Sequence, residues 1–199
     1  QMRELDPAAM KGFDASRIGN LAPTAMAGFQ PDQIAAMDPK AMKGFQGDQF
    51  AELPPEAMSG FDAQRFGALP PEAMAGFRPD QMRELAPEAM QGFDRGRMAA
   101  LAPEALSGFK AKQFQELPPD AMRGFRPDQF AELSPDVVAK MDIDQFGQLP
   151  PDAFGGFQPD QLKKLPVDVM GEFSPKDLGN LPPAAMGGFD PRKFGALPP

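Results

Sequence analysis

The stretch Leu53–Glu84 reads LPPEAMSGFDAQRFGA followed by LPPEAMAGFRPDQMRE, two versions of one sixteen-residue pattern. The pattern occurs twelve times without insertion or deletion over residues 5–196, with partial repeats at 1–4 and 197–199. Self-similarity at a fixed period is typical of solenoids, in which each unit buries its apolar side only against its neighbours. The sequence therefore predicts one continuous solenoid over residues 1–199.

Each repeat divides into two similar eight-residue halves. We call them the Leu-type and the Phe-type half-repeat after their opening residue; Leu53–Gly60 and Phe61–Ala68 are examples. Proline is frequent at the third place and an acid at the fourth, and both suit the first turn of a helix. Asp142 and Gln145 have the spacing of a capping box. We therefore expect an all-α, elongated solenoid of twelve sixteen-residue coils with two very short helices per coil.

Glycine closes most Leu-type halves, where a left-handed C-terminal cap is expected. Lys140 and Glu172 replace it in two coils, so we expect a strained or differently shaped turn there. Such short helices are unstable alone, so stacked coils must stabilise them, and twelve coils at the usual helix spacing give a rod on the order of 100 Å. The glycines are Gly12, Gly28, Gly44, Gly60, Gly76, Gly92, Gly108, Gly124, Gly156 and Gly188.

Four apolar positions per repeat are the candidate core. Leu and Phe open the two halves, Met58 and its equivalents fill the sixth place of the first half, and Phe66 and its equivalents fill that of the second. Methionine packed against phenylalanine makes an adaptable core. A β-solenoid and a disordered Pro- and Gly-rich chain are the alternatives. The scarcity of β-branched residues argues against the first, and the regular apolar spacing argues against the second.

Composition narrows the function classes. The chain has no cysteine and no histidine, so disulfides, thiolate metal sites and the commonest general base are missing. Its net charge is −8, with 28 acidic against 20 basic residues, whereas proteins that hold phosphate backbones usually present a basic face. No apolar run approaches the roughly 18 residues that span a bilayer. We expect no nucleic-acid partner, no membrane span and no small-molecule substrate.

Several repeated residues are candidates for chemistry, and each has a structural interpretation that we prefer. The Gly-Phe pair is interpreted as a turn followed by a core residue, and the methionines as core filling instead of copper ligands. Carboxylates one coil apart are too distant to share a calcium ion. With Thr24 as its only threonine, the chain lacks an ice-binding ladder. The acid row comprises Glu56, Glu72, Glu88, Glu104, Asp120, Asp136 and Asp152.

We accordingly predict that the chain is not an enzyme and has no catalytic, cofactor-binding or metal-binding residues. The segment 137–143 (VVAKMDI) departs most from the repeat. We interpret it as drift within the array, with a recognition patch or a bend as alternatives.

The half-repeat pattern Leu-x-Pro-acid-Gln/Ala-apolar-x-x, as in Phe125–Glu132 (FRPDQFAE), resembles the octapeptide repeats of long arrays in large bacterial surface and adhesin-like proteins. The likeness covers the whole chain. The chain differs in having Pro-Pro, Met and Gly-Phe instead of Thr and Val. The resemblance implies a secreted, α-helical spacer or stalk at the cell surface or outside the cell.

The function expected from the sequence is structural: a rigid rod that serves as a spacer, stalk or filament-forming subunit of a longer extracellular array. Both ends are cut inside a repeat without a capping unit, so the expected partner is the chain itself, end to end or as a continued array. The alternative is a binding module that presents a repetitive surface to an extended peptide or polymer. Free variation at the seventh place, for example Lys11, Ala27 and Ser59, favours the structural interpretation.

Overall fold

The computed structural model describes residues 2–198. Within that range the chain is all-α, with 25 short helices of three to six residues and no β-strand. Each sixteen-residue repeat contributes two of these helices. The prediction of an all-α solenoid with two very short helices per repeat is therefore confirmed, and the β-solenoid alternative is not the fold.

The helices of this solenoid stack with a period of three half-repeats. Throughout residues 2–198, every substantial contact between helices joins one helix to the third helix before or after it along the chain. Pro55–Gly60, for example, packs against Pro31–Ala36 in the turn before it and against Pro79–Glu84 in the turn after it. One turn of the solenoid therefore holds three half-repeats, and its helices lie on three faces.

The three faces carry eight helices each, and the short helix Met2–Glu4 precedes them. The first face holds Pro7–Gly12, Pro31–Ala36, Pro55–Gly60, Pro79–Glu84, Pro103–Gly108, Pro127–Ala131, Pro151–Gly156 and Pro175–Asn180. The second face holds Ala15–Gly19, Pro39–Gly44, Ala63–Gly67, Pro87–Gly92, Ala111–Gln115, Pro135–Val138, Pro159–Lys164 and Pro183–Gly188. The third face holds Pro23–Met26, Gly47–Ala51, Pro71–Gly76, Arg95–Ala100, Pro119–Met122, Ile143–Phe146, Val167–Glu172 and Pro191–Gly195.

The turn of the solenoid is thus longer than the sequence repeat. We expected each sixteen-residue coil to stack on the next, whereas each half-repeat stacks on the third one after it. The reason lies at the corners: the residues that flank a helix, such as Pro54 (φ −65°, ψ 144°) and Phe61 (φ −85°, ψ 126°), are extended and direct the chain onto the next face. Residues 5–196 make eight turns, which at about 8–10 Å per helix layer give a rod of roughly 65–80 Å, shorter than expected.

Because a turn holds three half-repeats and the sequence repeat holds two, the two types alternate up each face. A Phe-type helix such as Ala63–Gly67 lies between the Leu-type helices Pro39–Gly44 and Pro87–Gly92. The Phe-type half-repeats form α-helices, and most Leu-type half-repeats form tighter 3₁₀-helices. The two halves of the repeat differ because they are each other's packing partners between turns.

The glycines that close the Leu-type halves do not form left-handed caps, so that prediction is wrong: no residue in 2–198 has a positive φ. They are needed for close approach between turns. A Cβ on Gly60 would lie closer than 3.0 Å to the carbonyl oxygen of Pro31, and one on Gly76 would overlap that of Gly47 in the same way. Glycine lets the last residue of a Leu-type helix rest on the first residue of the Phe-type helix beneath it.

Lys140 and Glu172, which replace this glycine, lie on backbone of ordinary φ, so the expected strain is absent there as well. Both residues are exposed. A side chain at the end of these two half-repeats therefore lies in solvent and needs no unusual backbone conformation.

One hydrophobic core runs through the solenoid and contains the predicted positions. Leu53, Met58, Phe61 and Phe66 are fully or almost fully buried, as are their equivalents in the inner turns. Phenylalanines from neighbouring turns touch, with ring centroids 5.0 Å apart for Phe50 and Phe77. The four positions lie on all three faces and point inward, so they form one shared core and not four separate stripes.

Candidate functional surfaces

In most Phe-type half-repeats the fifth place holds a buried glutamine, which connects its turn to the turn beneath. Gln81 donates from Nε2 to the carbonyl oxygens of Phe50 (2.8 Å) and Leu53 (2.9 Å), and its Oε1 accepts the main-chain N–H of Arg78 (2.9 Å). A buried amide without such partners costs about 1–3 kcal/mol, so this satisfied carboxamide favours the stacked state.

The same three bonds recur wherever glutamine occupies that place. Each side chain donates to the residues 31 and 28 positions earlier and accepts from its own helix start, three positions earlier. The prediction of a capping box at Asp142 and Gln145 is also confirmed, because Gln145 N–H donates to the Asp142 carboxylate at 2.7 Å. The glutamines are Gln33, Gln49, Gln81, Gln113, Gln129, Gln145 and Gln161.

Arginine or lysine takes this place in four half-repeats, and each of them has aspartate at the helix start. Arg97 donates from Nε to the carbonyl oxygen of Leu69 (3.0 Å), while its guanidinium also pairs with Asp94. Asp94 in turn accepts the N–H of Arg97 and caps the helix. Arginine thus makes the connection to the turn beneath, while aspartate caps the start of its own helix. The pairs are Asp14 with Arg17, Asp62 with Arg65, Asp94 with Arg97, and Asp190 with Lys193.

Lys193 is the one lysine in this place and is buried. Its Nζ donates to the carbonyl oxygens of Leu162 (2.7 Å) and Lys163. Burial lowers the pKa of Lys193, and the nearby Asp190 carboxylate opposes that effect. Both bonds of its ammonium group join it to the turn beneath.

Asp177 is the exception among these connecting residues. Its carboxylate accepts the N–H and the hydroxyl of Ser174 at 2.8 and 2.6 Å, so it caps its own helix. A carboxylate has no hydrogen to donate, and no bond links Asp177 to the carbonyl oxygens of Phe146 and Leu149 in the turn beneath. The connection that glutamine makes is therefore missing at residue 177, and Asn180 of the same helix donates instead from Nδ2 to the carbonyl oxygen of Pro151 in the turn beneath (2.9 Å).

The predicted acid row does not form one line. Glu56 lies on the first face, Glu72 on the third and Glu88 on the second, because three half-repeats, and not two, separate stacked helices. Acids from six successive turns line up on the first face instead. No group of three or more carboxylates in residues 2–198 is close enough to hold a metal ion. The column on the first face comprises Asp32, Glu56, Asp80, Glu104, Asp128 and Asp152.

Two acids of that column pair with arginine. Asp80 bonds to Arg78 at 3.1 Å, and Asp128 bonds to Arg126 at 3.2 Å. Partial burial by itself raises the pKa of each carboxyl, but the arginine hydrogen bond and charge and a main-chain N–H outweigh it, so the pKa of each is lowered from 3.8. Because the pairs are largely exposed, their stabilising effect is small.

The grooves on the surface are shallow. The one lined by Pro135, Asp136, Asp160, Lys163 and Lys164 contains a single ion pair, Lys164 with Asp136 at 3.5 Å. Every buried side-chain nitrogen and oxygen in the described range has a hydrogen-bond partner. The Gly-Phe pairs contribute buried rings, as Phe61 and Phe77 illustrate, and the methionines lie mainly in the core.

The connecting role of the glutamine is not among the features predicted from the sequence. A signal was present: when aspartate stands at the second place, arginine or lysine usually stands at the fifth, and otherwise glutamine usually does. The partners of this side chain belong to the turn beneath, so they become visible only when the stacking period is known.

No helix within residues 2–198 is long and apolar enough to cross a membrane. Comparison with protein-family models finds no match, and comparison with curated proteins finds no relative.

Proposed function

We propose that this protein is a structural repeat protein, a rigid rod that serves as a spacer, stalk or filament-forming subunit and not as an enzyme. The supporting observation is that each kind of repeated side chain has a role in folding. The apolar residues fill the core, the glycines permit close stacking, and the buried glutamines connect consecutive turns. The requirements of folding therefore account for the repeated residues, and the residues that vary between repeats lie mainly at the surface.

The terminal turns supply a surface for self-association. Leu5, Met186 and Phe194 are 38%, 37% and 51% exposed, although their equivalents in the inner turns are buried. Apolar side chains of this kind favour stacking of a second copy or a continued array. An extracellular location as part of a longer array follows from the resemblance to surface-protein repeats and belongs to the proposal.

The alternative, a repetitive surface for an extended polymer, has less support. Equivalent outward positions on one face carry unlike side chains, for example Ser16, Lys40 and Gln64 on the second face. A polymer with a regular repeat requires the same contact in each turn, and the second face does not offer it. The first face offers its column of acids, but Asp80 and Asp128 of that column are already paired with arginine.

Electron microscopy and sedimentation velocity of the purified chain test the proposal. We expect stiff rods of roughly 65–80 Å per copy that lengthen with concentration by end-to-end joining. A flexible or compact particle would contradict the rod, and rods that stay single at all concentrations would contradict the filament version.

The variant Gly12→Ala tests the end-to-end contact at the first turn. A Cβ on Gly12 meets nothing within 4 Å, whereas one on the equivalent Gly44 or Gly60 overlaps the turn beneath. Alanine at residue 12 should therefore leave a single copy folded but prevent another turn from stacking there. Gly171→Ala is the control, since a Cβ there is also unobstructed and lies away from the terminal turn.

A further inference from the structure

Two large apolar side chains stand exposed in the inner part of the rod, away from its terminal turns. They are Ile143 and Val167, 43% and 47% exposed. The other large apolar side chains with such exposure in residues 2–198 are Leu5, Met186 and Phe194, which lie in the terminal turns. Burial of apolar surface between turns therefore does not explain this pair.

The stacking period brings these two side chains together. Ile143 and Val167 hold the same place in half-repeats that stack on each other, and they open the consecutive helices Ile143–Phe146 and Val167–Glu172 of the third face. Pro119 precedes them and Pro191 follows them at the same place of the neighbouring turns, and both prolines are exposed. The four residues form a column, one per turn, which we call the apolar column.

Neither side chain suits its place for folding alone. The third place of the half-repeat is the first helical residue, where proline is favoured and is the usual residue in this chain. An exposed β-branched side chain there gains no packing and is a poorer helix former. The irregular segment 137–143 and the replaced glycines Lys140 and Glu172 belong to the same stretch of the rod.

Acids flank the apolar column. Asp120, Asp144 and Asp168 follow its first three members directly and are exposed. The four half-repeats that carry the column contain six carboxylates against three basic side chains. A ligand of this surface must therefore combine apolar groups with positive charge.

The spacing of the column specifies the form of that ligand. Stacked helices lie about 8–10 Å apart, so the column presents one apolar side chain at that interval. A polyproline II peptide has three residues per turn and rises about 9 Å per turn, so every third side chain falls on the same edge at the same interval. Apolar residues on one edge contact the column, and lysines on another reach the acids.

We propose that the third face, from Pro119 to Pro191, is a docking site for a basic peptide in polyproline II conformation with an apolar residue at every third position. The site is local to these turns because Ile143 and Val167 are the large aliphatic side chains at the third place, where the other half-repeats have proline, alanine, glycine or arginine. It is separate from the structural role of the rod. The two proposals are tested independently. A chain that does not bind the peptide can still be a rigid rod, and a chain that is flexible in electron micrographs can still bind the peptide.

Fluorescence anisotropy with a labelled synthetic peptide of four Val-Pro-Lys units tests the site, and a peptide of four Val-Pro-Glu units is the control. We expect the basic peptide to bind and the acidic peptide to bind at least about tenfold more weakly. Raising the salt concentration should weaken binding, because the acids are exposed. Equal binding of both peptides, or binding of neither, would overturn the proposal.

The double variant Ile143→Pro, Val167→Pro replaces the two protruding aliphatic side chains by the smaller proline ring of the neighbouring turns while keeping the fold. Asp142 and Pro166 precede these places in extended conformation, which a following proline requires, and proline is the usual residue there. We expect an unchanged circular dichroism spectrum and at least about tenfold weaker binding of the basic peptide. Unchanged binding would overturn the proposal.

The charged part of the site has its own matched pair of variants. Asp144→Asn with Asp168→Asn should weaken binding of the basic peptide, whereas Asp48→Asn, at the same place of the third face but far from the column, should not. Equal effects of the two would show a general charge effect and contradict the site. A third result would also overturn the peptide proposal: the chain does not bind the peptide, it self-associates side by side, and the proline variant abolishes this self-association. The occupant of the surface would then be a second copy of the chain.

Discussion

The turns of residues 37–132 and those of residues 133–180 follow the same repeat but differ in the residues that join each turn to the turn beneath. In the first region every Leu-type half ends in glycine, and glutamine or arginine connects every Phe-type half to the turn beneath. In the second region Lys140, Glu172 and Asp177 interrupt both features. The core nevertheless continues through it, with Phe146 and Met170 buried. The apolar core is therefore common to both regions, whereas the glycine contact and the side-chain connection at the fifth place are complete only in the first.

The largest effect is expected from a side chain placed in a close contact of the regular region. Gly76→Ala puts a Cβ into the backbone of Gly47 and Ala51, so the turns must separate. We expect a loss of about 3 kcal/mol or more in the free energy of unfolding, measured by urea denaturation. Gly171→Ala lies in the irregular region, where a Cβ is unobstructed, and should change the free energy of unfolding little. Similar losses in the two variants would refute the role of glycine in the close contact between turns.

The next effect concerns the glutamine connection. Gln129→Leu leaves the carbonyl oxygens of Met98 and Leu101 and the N–H of Arg126 without their side-chain partner. We expect a loss of about 2–3 kcal/mol by the same measurement. Gln64→Leu, at an exposed position, is the control. If both variants lose the same stability, the connection between turns is not what glutamine provides.

Restoring the glutamine connection in the irregular region should increase the free energy of unfolding by a smaller amount. Asp177→Gln supplies two N–H donors towards the carbonyl oxygens of Phe146 and Leu149 and can still cap its helix, as the other glutamines do. We expect a gain of about 1 kcal/mol in the free energy of unfolding. A loss of stability would mean that the surrounding turns have adapted to aspartate.

The smallest effect is expected on acidification of the regular region. The pKa of Asp80 is lowered in the folded chain, so its ion pair stabilises the fold above about pH 4 and that contribution is lost as the pH falls below 3.8. The pair is exposed, so we expect less than about 0.5 kcal/mol. Comparing Asp80→Asn with the unsubstituted chain between pH 5 and pH 3 measures it, and an identical pH dependence would exclude the contribution.

Most of the local structure was predictable from the sequence. Proline and acid at the start of each half, and the apolar spacing of residues such as Met58 and Phe66, predicted short helices around one core, and the structure has them. The role of the glycines was not predictable in the same way. A glycine at a helix end suits a left-handed cap, and its contact with a helix of the turn beneath is invisible in the sequence.

The candidate docking surface shows the same limit. Ile143 and Val167 are one and a half sequence repeats apart, so nothing in the sequence pattern relates them, yet they are neighbours in consecutive turns. The sequence alone shows that residues 137–143 deviate from the repeat, and drift is a sufficient interpretation at that level. The exposure of Ile143 beside Val167 is visible only in the folded chain.

The eight-residue helical unit, the alternation of two unit types and the residues of the core follow from the amino-acid sequence, because capping, helix propensity and apolar spacing act over a few residues. The tertiary structure decided that three units close a turn. The corner between two helices is set by how their apolar sides meet around a common axis, and that depends on side chains from different turns of the solenoid. That distant packing converts a sequence repeat of two units into a turn of three.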